Sequence, residues 1–300
     1  MTRPVLSLAL LLPGQVLAAT LNVPGQYPNL GIAVSLASDG DVIVVAPGDY
    51  SGENTLSIVG KTLSIVGSAP DEVTLPPIYL DSFGTDAGDL SLSSVGLPCE
   101  SAPAVQAVTG NLRLSNVQAV GCAESRPTIE MPNTYGILQE LVIEDSLFQD
   151  LESRTFGAVR AKGATVVISN TRFENVRALV GAIDPDCPSD SCGGAIAARD
   201  SDLTVVDSSF VDCSAGEGGG GLVLWGQPER GEPEHHRLGL QRHLHLDRRG
   251  GPDSDRWRCH HPGLYLHQQQ HPDLGGGCWT AGAGQPAIGG AHRRLRFHWE

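Results

Sequence analysis

The chain is poor in aromatic residues, only 5% of its 300, and its first 226 residues hold no histidine. A core with so few rings must be built from aliphatic side chains, and no imidazole is present in that stretch to carry a proton. No apolar run approaches the ~20 residues that a membrane-spanning helix needs, so no transmembrane span is expected. Cations are scarce as well: 20 Lys and Arg face 34 Asp and Glu, a formal net charge of −14. Such a surface repels phosphate and excludes nucleic acid as a partner. A phosphate cradle is missing too, because Gly218–Gly221 is followed by neither Lys-Ser/Thr nor a helix.

Glycine, by contrast, is abundant at 37 residues, which together with the aliphatic core suits many short strands and turns. At the start, Arg3 precedes the apolar run Val5–Leu12, and Val16-Leu17-Ala18 puts small or modest residues where a signal peptidase cuts. Residues 1–19 are therefore expected to be a cleaved signal peptide, with cleavage after Ala18 or Ala19 and an exported product, secreted or on a bacterial outer surface. Export permits disulfides. Cys99 with Cys122, and Cys187-Pro-Ser-Asp-Ser-Cys192, are the candidate pairs, and Cys213 has no evident partner. Zinc is the competing reading of Cys187 and Cys192, but a second pair at zinc spacing is lacking.

Internal repetition decides the architecture. Leu112-Arg-Leu-Ser-Asn-Val-Gln-Ala-Val120, Leu141-Val-Ile-Glu-Asp-Ser-Leu-Phe148, Val166-Val-Ile-Ser-Asn-Thr-Arg-Phe173 and Leu203-Thr-Val-Val-Asp-Ser-Ser-Phe210 share one pattern. Each opens with alternating aliphatics, turns at Asn or Asp, and returns an apolar residue inward. Phe148, Phe173 and Phe210 lie 25 and 37 residues apart. A solenoid coil takes roughly 20–30 residues, so the second gap holds one coil plus an insertion, Asp184 to Cys192. The class expected is all-β, a right-handed parallel β-helix over residues 20–226. Stacked coils should align Val166 and Ile168 with Leu203 and Val205. Ala33–Ala37 reads as a short N-terminal capping helix.

The order Tyr27, Pro28, Gly40, Asp41, Pro47, Gly48, Tyr50, Asn54, Lys61 and Gly67 resembles the N-terminal coils of the pectin-lyase-like β-helix superfamily. Phe173-Glu-Asn175 followed by Gly193-Gly194-Ala195-Ile196, and Phe210 followed by Gly219-Gly220-Gly221-Leu222, resemble the repeats of polymorphic outer-membrane proteins. The first resemblance implies the fold. The second implies a surface-exposed β-helix, with Cys213 standing where the repeat has Asn.

Composition changes after Gly226. All ten histidines lie beyond it, and ten basic against 26 acidic residues before it give −16, while ten against eight after it give +2. Read one base out of frame, the codons of Gly226–Gly251 permit L-S-I-T-D-S-V-F, the repeat again, so residues 227–300 read as a frameshifted, low-order tail. His235-His236, His243-Leu-His245 and Cys259-His260-His261 resemble transition-metal ligands, but their Gln, Arg, Gly and Pro neighbours provide no scaffold.

Lyases of the resembled superfamily imply acids that hold Ca²⁺ and an arginine base. The acids available are Asp145, Asp150, Asp184, Asp186, Asp190, Asp200, Asp202, Asp207 and Asp212, and the nearby cations Arg160, Lys162 and Arg199. Most of these acids stand beside strands, where Asp serves turns. Asp184, Asp186 and Asp190 make the one Ca²⁺ candidate, without the glycine spacing of calcium loops. Asp145 and Asp207 share a repeat slot that Asn170 interrupts, and the Asp-Asp, Gly-His-Gly and Arg-Ile-Lys pattern of polygalacturonases is absent. No catalytic residue and no cofactor is assigned. The expectation is a structural or adhesive surface protein meeting polysaccharide or a host or cell surface. The alternative is a polysaccharide lyase or glycoside hydrolase of the same fold.

Overall fold

The computed structural model of the chain describes residues 18–81, 88–99, 103–123, 126–154, 156–179, 194–215 and 222–225, with further short strands at 238–241, 245–247, 266–270 and 277–281. The strands wind into a parallel β-helix. It is right-handed, the hand that twisted parallel strands impose on crossover connections. Along one side runs a sheet whose main path joins Thr20–Val23, Asp41–Val45, Leu63–Val66, Leu90–Gly96, Leu112–Val120, Gln139–Glu144, Ala164–Ser169, Asp202–Val206 and Leu238–Gln241. A second sheet stacks Leu56–Val59, Ile78–Asp81, Val105–Ala107, Ile129–Met131, Val159–Lys162, Ile196–Arg199 and Leu222–Trp225. A narrow third one joins Glu152–Ser153, Arg177–Ala178 and Ser214–Ala215.

Alternation along each strand sends every other side chain inward. In register these become ladders: Leu21, Ile43, Ile65, Leu92, Leu114, Ile143, Ile168 and Val205 stack in one buried column. The expected alignment of Val166 with Leu203 and of Ile168 with Val205 is present. Phe148, Phe173 and Phe210 form a stack with ring centroids 5.0 and 4.9 Å apart. No coil could bury these faces alone, so stability resides in contacts between neighbours.

The corners explain the recurrent turn chemistry of the repeats. Ser94, Asn116, Asp145, Asn170 and Asp207 all have positive φ, as do Asp150, Asn175 and Asp212 one corner further on. Asn and Asp tolerate that left-handed conformation better than other residues with a Cβ. Amides link the corners axially: Asn170 Nδ2 donates to Asp145 Oδ1 at 2.6 Å, and Asn175 Nδ2 to Asp150 Oδ1 at 2.6 Å. Just past the first corner, the buried hydroxyls of Ser146, Thr171 and Ser208 stitch coils together. Ser146 accepts from Val117 N–H and Ser208 from Thr171 N–H, at 3.1 and 3.2 Å.

The helix α1 spans Leu30–Leu36, starting three residues before the expected Ala33. Asn29 explains the earlier start, because its side chain accepts from Ile32 N–H and caps the first turn. Leu30, Ala33 and Val34 are buried, and Lys61 closes the other end by donating to Val34 O and Ala37 O at 2.7 and 2.9 Å. Gly67 is required by packing: a Cβ there would lie 2.3 Å from Ser94 O.

Beyond Gly226, Leu238–Gln241 pairs in parallel with Asp202–Val206, and His245–Asp247 with Ser209–Val211. Leu266–Gln270 and Gly277–Ala281 pair antiparallel with each other. Strands thus occur in a region where composition predicts none. In backbone register, residues 238, 240 and 246 are the partners of Leu203, Val205 and Phe210. Residues 1–17, which hold most of the expected signal peptide, lie outside the described residues, as do Gly193 and Gly219–Gly221.

Candidate functional site

Chemistry on a β-helix has to be sought on outward positions, because the inward ones are spent on the ladders. On the second sheet the outward residues Tyr79, Gln106, Glu130 and Arg160 stand opposite one another on four successive strands. Their coil spacing places them about 4.8 Å apart along the axis. Glu130 is the centre of this row, with only 4% of its side chain exposed. Three donors hold its carboxylate: Arg160 Nη1 on one oxygen, and Arg126 Nη1 at 3.2 Å and Gln106 Nε2 at 3.3 Å on the other. Arg160 also lies 4.7 Å over the buried Phe156 ring, which fixes the guanidinium from its other side. A carboxylate so held has both oxygens engaged and almost no surface left open to a substrate.

Asp81 lies on the same face and is 1% exposed. The Tyr79 hydroxyl donates to its Oδ2, and Thr109, one coil on, donates to its Oδ1, both at 3.2 Å. Burial raises the Tyr79 phenol above its ordinary value, helped by the Asp81 hydrogen bond and the Asp81 and Tyr135 charges. It stays a neutral donor.

The acids singled out in the sequence do not gather around these groups. Asp145, Asp150, Asp200, Asp207 and Asp212 sit at positive-φ corners, and Asp202 is exposed where the Asp202–Val206 strand begins. Asp145 and Asp207 do occupy equivalent slots, with Asn170 between them. Among the expected cations, Arg160 joins Glu130, Lys162 stands opposite Arg199, and Arg199 donates to Asp200 at 3.2 Å. Among the described residues, no three of His, Cys, Asp and Glu come close enough to share a metal ion. Asp184, Asp186 and Asp190 lie outside the described residues. So do Cys187 and Cys192.

Cys99 and Cys122 form a disulfide, closing a segment with a sequence separation of 23. Cys213 is free and packs against the core, and burial pushes its thiol up to about 12. Its sulfur faces Phe173 O and Val211 O, both at 3.6 Å. The leading surface depressions are small. One of about 160 Å³ lies around Arg113, Ser64 and Ser91, and one of about 220 Å³ around Leu138, Gly163 and Asp202.

Sequence reasoning missed Glu130. Thr128-Ile-Glu-Met131 shows no strand-length alternation, and its partner Arg160 is 30 residues away. The only available signal was a charged residue inside an apolar triplet.

No family model matches the chain, and no curated protein matches it. Among solved structures, a pectin methylesterase mutant in complex with a hexasaccharide is 12% identical. That match covers 82% of this chain and 93% of that one, with a TM-score of 0.43. A PL6-family alginate lyase is 14% identical over 78% of this chain and 39% of its own length, with a TM-score of 0.43. The Escherichia coli protein ybhC is 13% identical, covering 81% and 87%, with a TM-score of 0.40. Likenesses this distant carry no argument about activity. The stacked register itself establishes the architecture, a parallel β-helix.

Proposed function

We propose that this is an exported β-helix, secreted or held at the outer surface, that works by holding polysaccharide rather than by cleaving it. The observation that carries this reading is the state of Glu130. It is a buried carboxylate at the centre of the outward row on the second sheet, and three donors already engage it. General acid or base work needs a carboxyl within hydrogen-bond reach of the substrate's proton, and Glu130 is only 4% exposed with both oxygens engaged. The Cys99–Cys122 disulfide supports export, since oxidising compartments are where such bonds persist. We also take residues 227–300 to be read out of frame, because the shifted reading permits the L-S-I-T-D-S-V-F repeat and the composition changes at Gly226. Resequencing the gene across the Gly226 codon tests that point.

Glu130 beside Arg160 is also what a lyase or hydrolase reading would build on. The intact protein, incubated with acidic and neutral polysaccharides with and without Ca²⁺, separates the two readings. Retention in affinity electrophoresis with no new reducing or unsaturated ends supports holding. Release of product, or failure of every polysaccharide to retard the protein, overturns it.

A further inference from the structure

The outward face of the first sheet is unlike the rest of this acidic molecule. Two columns of eight outward positions run its length in unbroken register, from Thr20 to Thr204 and from Asn22 to Val206. The first passes Val42, Ser64, Ser91, Arg113, Val142 and Val167. The second passes Val44, Val66, Ser93, Ser115, Glu144 and Ser169. All but the buried Val142 are exposed or half-exposed. Only Arg113 and Glu144 are charged, and they pair with each other at 3.5 Å. The result is a strip without net charge, bordered on the same strands by the exposed acids Glu140 and Asp202, on a chain of net charge −14.

Its dimensions follow from strand geometry. Eight strands give a length of about 34 Å, and the two columns lie about 7 Å apart. The strip therefore offers roughly 240 Å², well under the ~800 Å² per partner of a stable protein interface. A second copy laid face to face would also bury the seven serine and threonine hydroxyls against valine methyls, which is costly without partners. A narrow strip of mixed hydroxyls and methyls instead matches an extended sugar chain, whose rings present C–H patches and hydroxyl rims. Lack of net charge favours an uncharged chain, because the surrounding acids repel polyanions.

We infer that the outward face of the first sheet is the docking surface, and that its ligand is a neutral, extended polysaccharide lying along the solenoid axis. This rests on the polysaccharide-holding reading above and names the face and the ligand class. No aromatic ring stands on the strip for a sugar to stack on, so each sugar contributes little and affinity grows with chain length.

The test uses the intact chain, Ser93→Glu, Ser93→Lys, and Ser214→Glu on the third sheet as control, each with its thermal melt recorded. The ligands are a soluble β-linked neutral glucan, its short oligomers, and a polyuronate. The inference expects retention by the long glucan, much weaker binding of the oligomers, and roughly a tenfold or greater loss with either Ser93 variant but not the control. Charge of both signs must weaken binding. Polyuronate binding strengthened by Ser93→Lys overturns the neutral class. Glucan binding that ignores Ser93 overturns the face while leaving the broader reading standing, and retention by no polysaccharide removes both.

Discussion

Phe173 is the side chain whose removal best measures what holds adjacent coils together. Its ring is fully buried between Phe148 at 5.0 Å and Phe210 at 4.9 Å, with interplanar angles of 9° and 4°. Truncating a buried phenylalanine to alanine costs about 3–5 kcal/mol in lost burial and residual cavity. Each ring–ring contact contributes about 0.5–1.5 kcal/mol beyond burial. Phe173→Ala loses two such contacts. Phe148→Ala loses one, because Ala119 is its partner on the preceding coil. The expected cost is about 4–8 kcal/mol for Phe173→Ala, exceeding Phe148→Ala by about 1 kcal/mol. Urea titration followed by far-ultraviolet circular dichroism measures both. Because each coil leans only on its neighbours, amide exchange should accelerate around residues 141–149 and 203–211 and stay slow around Leu63 and Leu90. A loss under about 2 kcal/mol, or equal losses for the two variants, refutes the account of the stack.

Three further outcomes are expected. Asn170→Asp removes the amide bridge to Asp145 and sets three carboxylates in one row, costing about 1–2 kcal/mol at neutral pH; high salt or a pH below the carboxylate range should restore most of it, read from thermal melts. Glu130→Ala removes the acceptor that Arg126, Arg160 and Gln106 share, with an expected loss of about 3–5 kcal/mol, whereas Arg126→Ala, at the exposed rim, should cost under about 1 kcal/mol by urea titration. The Cys213 thiol, raised to about 12 by burial, stays protonated in the folded chain at about pH 9, where an unfolded cysteine is largely ionised. The fold is therefore favoured below that range and loses this contribution as pH climbs toward about 12. Alkylation at pH 9 should accordingly be slow in buffer and fast in denaturant, with mass spectrometry as the readout.

What could be read from the linear chain was whatever repeats with a short period. Alternation in Val166–Ile168 and Leu203–Val205 gave the strands, and recurrence of Phe173 and Phe210 gave the axial stack. Asp145, Asn170 and Asp207 were visible as one slot because each follows the same aliphatic pattern. The hydroxyls of Ser146, Thr171 and Ser208 stood in plain view one residue later. Their function depends on reaching an N–H a full coil away, and local pattern carries no information about that. Glu130 was hidden for the same reason. Its burial arises from Arg126, Gln106 and Arg160 meeting on one face, a consequence of how three loops return to the second sheet. Leu238 and Leu246 show the converse case. Composition around them argues against strands, yet their backbones pair in register with those of Leu203 and Phe210.

Coil length along this molecule ranges from 22 residues between Ser94 and Asn116 to 37 between Thr171 and Ser208. The stretch from Leu141 to Ser153 nevertheless matches Val166 to Ala178 and Leu203 to Ala215 residue for residue. Every extra residue in those coils is admitted at a single corner, between the third sheet and the second. Lineages can therefore elaborate that rim freely while the opposite wall keeps its pitch, much as a building can gain balconies on one façade without moving its floors.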